Sequence, residues 1–267
     1  MSLLGRGFAV AALLASSVLA QQTPAERHRV SAPIAFYDDA DVSPPGTFQI
    51  SEGICYTKVP AGQNLSFSST YVELALNPKV EIMASVSDAR SSYEGTLITG
   101  MGDSYFGSKF LVVAEGKRRP GVAVEPMVEV LGPSSLAFSA LAPDRVNYVL
   151  PVTFQKSFDQ ARVYGMAGYV TRGIAFASLV FELNRWSRVT PMVVVSGSRV
   201  TRDVGLLSEL GLNRSQMDAL AGASVEVHRG WSVFAMAGRS LGRKDANSTS
   251  YQLTGGLNVT FRLWGVK

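Results

Sequence analysis

The chain has 267 residues, 25 of them Lys or Arg and 21 Asp or Glu, giving a formal net charge of +4. Acids and bases are interspersed without a basic stripe, which argues against a nucleic-acid partner. The single Cys55 cannot form an intramolecular disulfide and is read as a small packed residue; no Cys/His spacing resembles a metal site, so no cofactor is expected.

Residues 1–20 have the form of a secretory signal. Arg6 is followed by a short apolar run, Gly7 to Leu19, and Val18-Leu19-Ala20 supplies small residues for cleavage after Ala20. The run is too short to span a bilayer, and no cysteine stands at the cleavage point to take a lipid. Later apolar runs, such as Phe110 to Ala114 and Pro191 to Val195, fall far below the roughly 20 residues of a membrane helix. Any membrane crossing must therefore be made by a closed barrel, because only helices and barrels satisfy every backbone group in lipid.

Residues 21–45 are polar and irregular, with Pro24, Pro33, Pro44 and Pro45 and an acidic cluster at Asp38, Asp39 and Asp41. They are expected to form a periplasmic arm tucked into the barrel end, with the aspartates in a solvated turn rather than a cation site.

From Gly46 onward, apolar and polar residues alternate with a period of two, the signature of strands with two unlike faces. Clear segments lie at 121–131, 146–155, 219–228 and 250–263, and weaker ones near 47–57, 65–76, 80–87, 104–114, 161–171, 173–185, 189–201 and 231–241. Glu52 falls on the apolar parity of the first segment. In the last, Tyr251, Leu253, Leu257, Val259, Phe261 and Leu263 oppose Gln252, Thr254, Asn258, Thr260 and Arg262. The expected fold is all-β: a transmembrane antiparallel up-and-down barrel of about twelve strands over residues 46–267, both termini periplasmic, in the bacterial outer membrane.

The connections alternate in length. Those at 58–64, 88–103, 132–145, 202–218 and 242–249 read as long loops; those around Asn77-Pro78, Glu115–Pro120, Phe158–Gln160, Trp186–Ser187 and Arg229–Gly230 read as short turns. Membrane barrels sort long loops to the outside and short turns to the periplasm, which a soluble sandwich has no reason to do. Arg172-Gly173 is a minimal turn where a long loop is expected, and Leu206, Leu207 and Leu210 suggest a turn of helix within the 202–218 loop. On this topology Trp186, Trp231 and Trp264 fall at the periplasmic boundary of the membrane, and Tyr56, Tyr105, Tyr169 and Tyr251 at the outer one.

Three stretches carry a family resemblance: "PPGTFQISEGICY" (44–56), "ELALNPKVEIMASV" (73–86) and "GMGDSYFGSKFLVV" (100–113). They resemble the opening strand, a short turn and a Gly-Asp strand entry of the family labelled putative MetA-pathway of phenol degradation. The resemblance implies an outer-membrane transporter-like barrel linked to aromatic-compound catabolism. The chain departs from that family's usual terminal aromatic, since Gly265-Val266-Lys267 follow Trp264 at the end read by the barrel-assembly machinery.

Parity assigns an inward set: Glu73, Glu81, Lys109, Glu125, Glu129, Glu182, Glu226, His228 and Arg262. Charges turn inward because a Lys or Arg at the lipid midplane costs roughly 2–4 kcal/mol. Neighbouring strands place Lys109 between Glu81 and Glu125, within reach of cross-strand ion pairs. Two readings stay open: a polar pathway with a charged constriction, or a network that fills and stiffens a small barrel. The expected role is passive passage of small solutes, aromatic or hydrophobic ones among them, with outer-membrane lipids as surroundings. A closed structural or interaction barrel is the alternative. A lipid-modifying enzyme ranks last: Ser224, Glu226 and His228 share a face, but same-face neighbours lie about 6–7 Å apart, too far for a direct bond. No catalytic residue is expected.

Overall fold

The structure, a computed structural model, describes residues 38–60, 62–93, 96–133, 144–186, 188–202, 213–242, 244–245 and 248–264. The signal, its cleavage site, most of the arm, and the helical turn expected near Leu206 lie outside these.

Every described element is a strand: β1 (Thr47–Val59), β2 (Gly62–Asn77), β3 (Val80–Tyr93), β4 (Thr96–Met101), β5 (Asp103–Val113), β6 (Gly121–Val124), β7 (Met127–Leu131), β8 (Val146–Ser157), β9 (Ala161–Val170), β10 (Ile174–Leu183), β11 (Val189–Val200), β12 (Ser215–His228), β13 (Trp231–Ser240) and β14 (Tyr251–Arg262). All pairings are antiparallel, and two breaks reduce the fourteen segments to twelve walls. β4 and β5 both pair with β3, on either side of Gly102, and form one long strand with an irregularity. β6 and β7 pair with β5 and β8 in continuous register, interrupted at Glu125-Pro126 because proline has no N–H for the ladder. The first and last strands pair from Thr47↔Arg262 to Lys58↔Tyr251, which closes the barrel and leaves no edge.

The two faces of the wall differ as period-two alternation requires. Outward-facing Tyr148, Leu150, Val152 and Phe154 on β8 are exposed, while their neighbours Asn147, Val149, Thr153 and Gln155 are buried inside. Leu179 and Phe181 on β10, Val193 and Val195 on β11, and Leu253 on β14 repeat the outward pattern. An outward apolar surface on this scale belongs in lipid, so the barrel is a transmembrane one. Outward charges on the wall gather towards strand ends, at Lys58, Arg90, Lys156, Arg199 and Arg239. Glu52 is the exception near mid-height, where Thr70 Oγ1 donates a hydrogen bond to its Oε2 at 2.6 Å.

The expected loop pattern needs correction. Residues 58–64 and 88–103 are not long loops. β1 and β2 pair out to Val59↔Gly62, and β3 and β4 pair out to Tyr93↔Thr96. This side of the barrel therefore stands tall as paired hairpins. The turns at the end holding the chain termini, here the terminal mouth, are mostly short, and Gly230 enables the two-residue β12–β13 turn with φ +76, which side-chain-bearing residues rarely adopt. At the far end, Gly173 (φ +94) makes the minimal β9–β10 turn.

Candidate functional site: a plugged lumen

Inward residues on three adjacent strands form successive rungs. The first from the terminal mouth is Glu81–Lys109–Glu125, the second Met83–Gly107–Met127 and the third Ser85–Tyr105–Glu129. Alternation alone turns these side chains inward, and register sets Glu81 directly opposite Lys109. Lys109 Nζ lies 3.6 Å from Glu81 Oε2 and 4.0 Å from Glu125 Oε1, with all three residues at most 2% exposed.

The nearest partner of Lys109 comes from outside the wall. Asp38 Oδ2 lies 2.7 Å from its Nζ. The segment Asp38–Ser43 enters the terminal mouth and binds the wall at several points. Asp39 Oδ2 accepts from Arg162 Nη1 at 2.6 Å, Asp41 Oδ2 accepts from Gln155 Nε2, and the Ser43 N–H donates to Glu81 Oε1 at 2.6 Å. Ala40, between the aspartates, is fully buried. Burial pushes the Asp38 carboxyl above its ordinary range, Lys109 pulls it back, and the Asp39 charge adds to the rise. The acidic cluster is therefore not a solvated turn: it is two ion-pair anchors on β5 and β9, walls about 14 Å apart at strand spacing.

Arg162 is the hub of the second anchor. Its guanidinium meets Glu182 Oε2 through Nε at 2.9 Å and Nη2 at 2.8 Å, two donors on one carboxylate oxygen, while Nη1 takes Asp39. It also lies 4.6 Å over the Tyr164 ring, whose hydroxyl donates to Glu182 Oε1 at 2.8 Å. Two more inward tyrosines act alike: Tyr71 donates to Glu73, and Tyr105 to Glu129 at 2.8 Å, which Arg172 Nε also meets at 3.1 Å. Beyond the first rung the lumen is packed, with one apolar cluster around Tyr71, Met83, Met127 and Val149, another around Tyr164, Met192, Leu220 and Met236, and the Glu129–Arg172 pair at the third rung.

Of the residues expected inside, Glu73, Glu81, Lys109, Glu125, Glu129 and Glu182 are buried in the lumen, and Arg262 is half-buried at the terminal end of β14. Glu226 and His228 are corrections: they have inward parity, but a register irregularity beside the β12–β13 turn leaves both exposed at the rim. Tyr105 is a second correction. It is no boundary aromatic but a buried lumen residue, on the parity of Lys109. Tyr56 and Tyr251 stack with centroids 5.7 Å apart at the far end, where Tyr169 is also exposed. Trp186 and Trp264 are exposed and Trp231 half-buried at the terminal end. Sequence reasoning missed Arg162, Tyr71, Tyr164 and the wall partners of the aspartates; inward parity on 161–171 was the available signal for Arg162. The Ser–His idea fails on geometry: Ser224 Oγ donates to the Val233 carbonyl, and His228 Nδ1 sits 3.3 Å from the Arg229 carbonyl at the rim.

Solved structures share this architecture. The COG4313 outer membrane channel from Pseudomonas putida F1 aligns with a TM-score of 0.61 at 9% identity, over 87% of this chain and all of that one. The NanC porin aligns with a TM-score of 0.53 at 8% identity, over 80% of this chain and all of that one. No family model matches the chain, and no curated protein matches it. The likeness is one of fold: a closed twelve-stranded antiparallel barrel of the outer-membrane kind.

Proposed function

We propose that this protein is an outer-membrane channel for passive passage of small solutes, closed at its periplasmic mouth by its own N-terminal arm. The observation that carries the reading is the plug. At the terminal mouth a segment outside the wall lies inside the barrel, held through Asp38–Lys109 and Asp39–Arg162, which supports a closed mouth. A barrel with only a structural role can fill its lumen with wall side chains alone, so a separate segment held by side-chain ion pairs supports a closure that can be released. The fold's likeness to a channel and a porin supports this reading. The resemblance to the phenol-degradation family, together with the two apolar clusters of the lumen, supports aromatic or hydrophobic solutes. The even number of walls puts both ends of the barrel at one mouth, and the signal-like leader supports reading that mouth, with the arm and the three tryptophans, as the periplasmic one.

The test is reconstitution into liposomes and planar bilayers, comparing the wild type with an Asp38→Ala/Asp39→Ala variant. Solute entry and opening events should rise sharply in the variant. A folded variant as tight as the wild type, neither passing any solute, would return the protein to the structural reading.

A further inference from the structure

The second rung, Met83–Gly107–Met127, has a twin. On β11, β12 and β13 the register aligns Met192, Gly222 and Met236 in one inward row. The strand order places the two central glycines six walls apart in a ring of twelve, on opposite sides of the lumen. Each glycine also sits six residues before the terminal-mouth end of its strand, Gly107 before Val113 and Gly222 before His228. Two identical rows thus face each other at matching positions; the ionic rung Glu81–Lys109–Glu125 lies between the first row and the mouth, and Thr190–Ser224–Phe234 between the second row and the mouth.

The glycines have a specific role in these rows. A Cβ on Gly107 would lie 2.4 Å from Met127 Cγ, and one on Gly222 would lie 2.0 Å from the Ala235 carbonyl oxygen and 2.8 Å from Met236 Cγ. Gly107 therefore leaves space that Met127 occupies, and Gly222 admits the close approach of the β13 backbone and of Met236 beside it. All four methionines are buried, at 3–7% exposure, so their thioethers are packed inside the barrel rather than open to solvent. Methionine is unbranched, with three rotatable bonds and a polarizable sulfur, and it can swing without backbone movement and contact an aromatic ring favourably. Tyr71 already places its hydroxyl 3.8 Å from Met83 Sδ.

We propose that the two Met–Gly–Met rows form one two-sided selectivity site, a thioether gate that admits uncharged solutes carrying a flat, polarisable ring in preference to saturated ones of equal size. This rests on the channel reading and adds to it the residues that choose the solute.

The test is liposome swelling with two membrane-impermeant probes of nearly equal size, phenyl β-D-glucoside and cyclohexyl β-D-glucoside. It is run on the full chain and on the Asp38→Ala/Asp39→Ala variant. Phenyl glucoside should enter about threefold faster, the order expected of sulfur–ring contacts. Replacing all four methionines with leucine keeps the volume and removes the sulfur, so the ratio should fall to about one. Substituting one row at a time, Met83→Leu/Met127→Leu or Met192→Leu/Met236→Leu, should lower it part-way. These milder variants keep the test decisive if the fourfold one does not fold, as judged by heat-modifiable gel mobility. Equal entry of both probes into wild-type liposomes, or an unchanged ratio in a folded row variant, overturns the gate. No entry of either probe in the wild type or the arm variant overturns the channel reading itself, and the gate with it.

Discussion

Two neighbouring rungs on the same three strands invite comparison. Glu81–Lys109–Glu125 and Met83–Gly107–Met127 lie one inward step apart, on β3, β5 and the β6/β7 wall. The charged rung is completed by a group from outside the wall, Asp38, whereas the thioether rung is completed by the wall itself. Directional, charge-assisted bonds fix the arm in one place. Dispersion contacts fill space without fixing it, and they leave the second rung free to repack. Position in the lumen thus separates a lock from a filter.

The largest break in that contrast comes from converting the first rung into the second. Lys109→Met would leave Asp38, Glu81 and Glu125 buried without their cation, a loss expected at about 3–5 kcal/mol. The urea midpoint of the folded barrel in detergent should fall accordingly, and the arm should become accessible to protease. Removing only the arm's side of the lock is gentler, because Lys109 keeps its wall glutamates and Arg162 keeps Glu182. Asp38→Ala/Asp39→Ala should raise open probability in planar bilayers by about a hundredfold, the equivalent of roughly 2.7 kcal/mol.

The outer face offers a control, since it tests solvation by lipid without touching the lumen. Glu52→Leu should stabilise the inserted barrel by about 1 kcal/mol, as Glu52 is an acid at mid-height on the lipid side, and leave solute entry unchanged. Urea unfolding in liposomes with parallel swelling measurements checks both halves of that statement.

The smallest expected effect lies at the β5–β6 turn. Burial alone would raise the Glu115 carboxyl, but hydrogen bonds from the Ser157 N–H, Gln155, Lys156 and the Ser157 hydroxyl outweigh it and lower its pKa. A lowered folded-state pKa stabilises above the ordinary value near 4.5 and loses its effect as pH falls through the folded value. Glu115→Gln should therefore be slightly less stable than the wild type at pH 6.5. The two should converge as pH falls from 4.5 through the lowered folded-state value, when urea midpoints are followed across that range.

The wall was legible in the sequence because a period of two is a local property, readable wherever one face meets lipid. Lys109 between Glu81 and Glu125 followed from the order of neighbouring strands. Tyr105 was misplaced because tyrosine favours membrane boundaries as a residue type, although its parity with Lys109 already turned it inward. The 58–64 and 88–103 stretches read as loops because their Ser, Gly and Asn suit loops, yet main-chain pairing asks little of side chains in a hairpin. The arm's role was hidden for another reason. Asp39 and Arg162 are 123 residues apart, and no local pattern reports their meeting. The twin methionine rows became visible only once register aligned three strands on each side.

The plug is joined to the wall by a very short leash. Between Asp41 and the start of β1 at Thr47 lie five residues, which span at most about 17 Å when extended. A segment so tethered stays within reach of its dock even when released, at an effective concentration on the order of millimolar or above. Re-closure is then a first-order event within one molecule, its rate independent of how much protein the membrane holds. A free peptide copying Asp38–Ser43 would have to approach the same concentration before it could compete for the mouth.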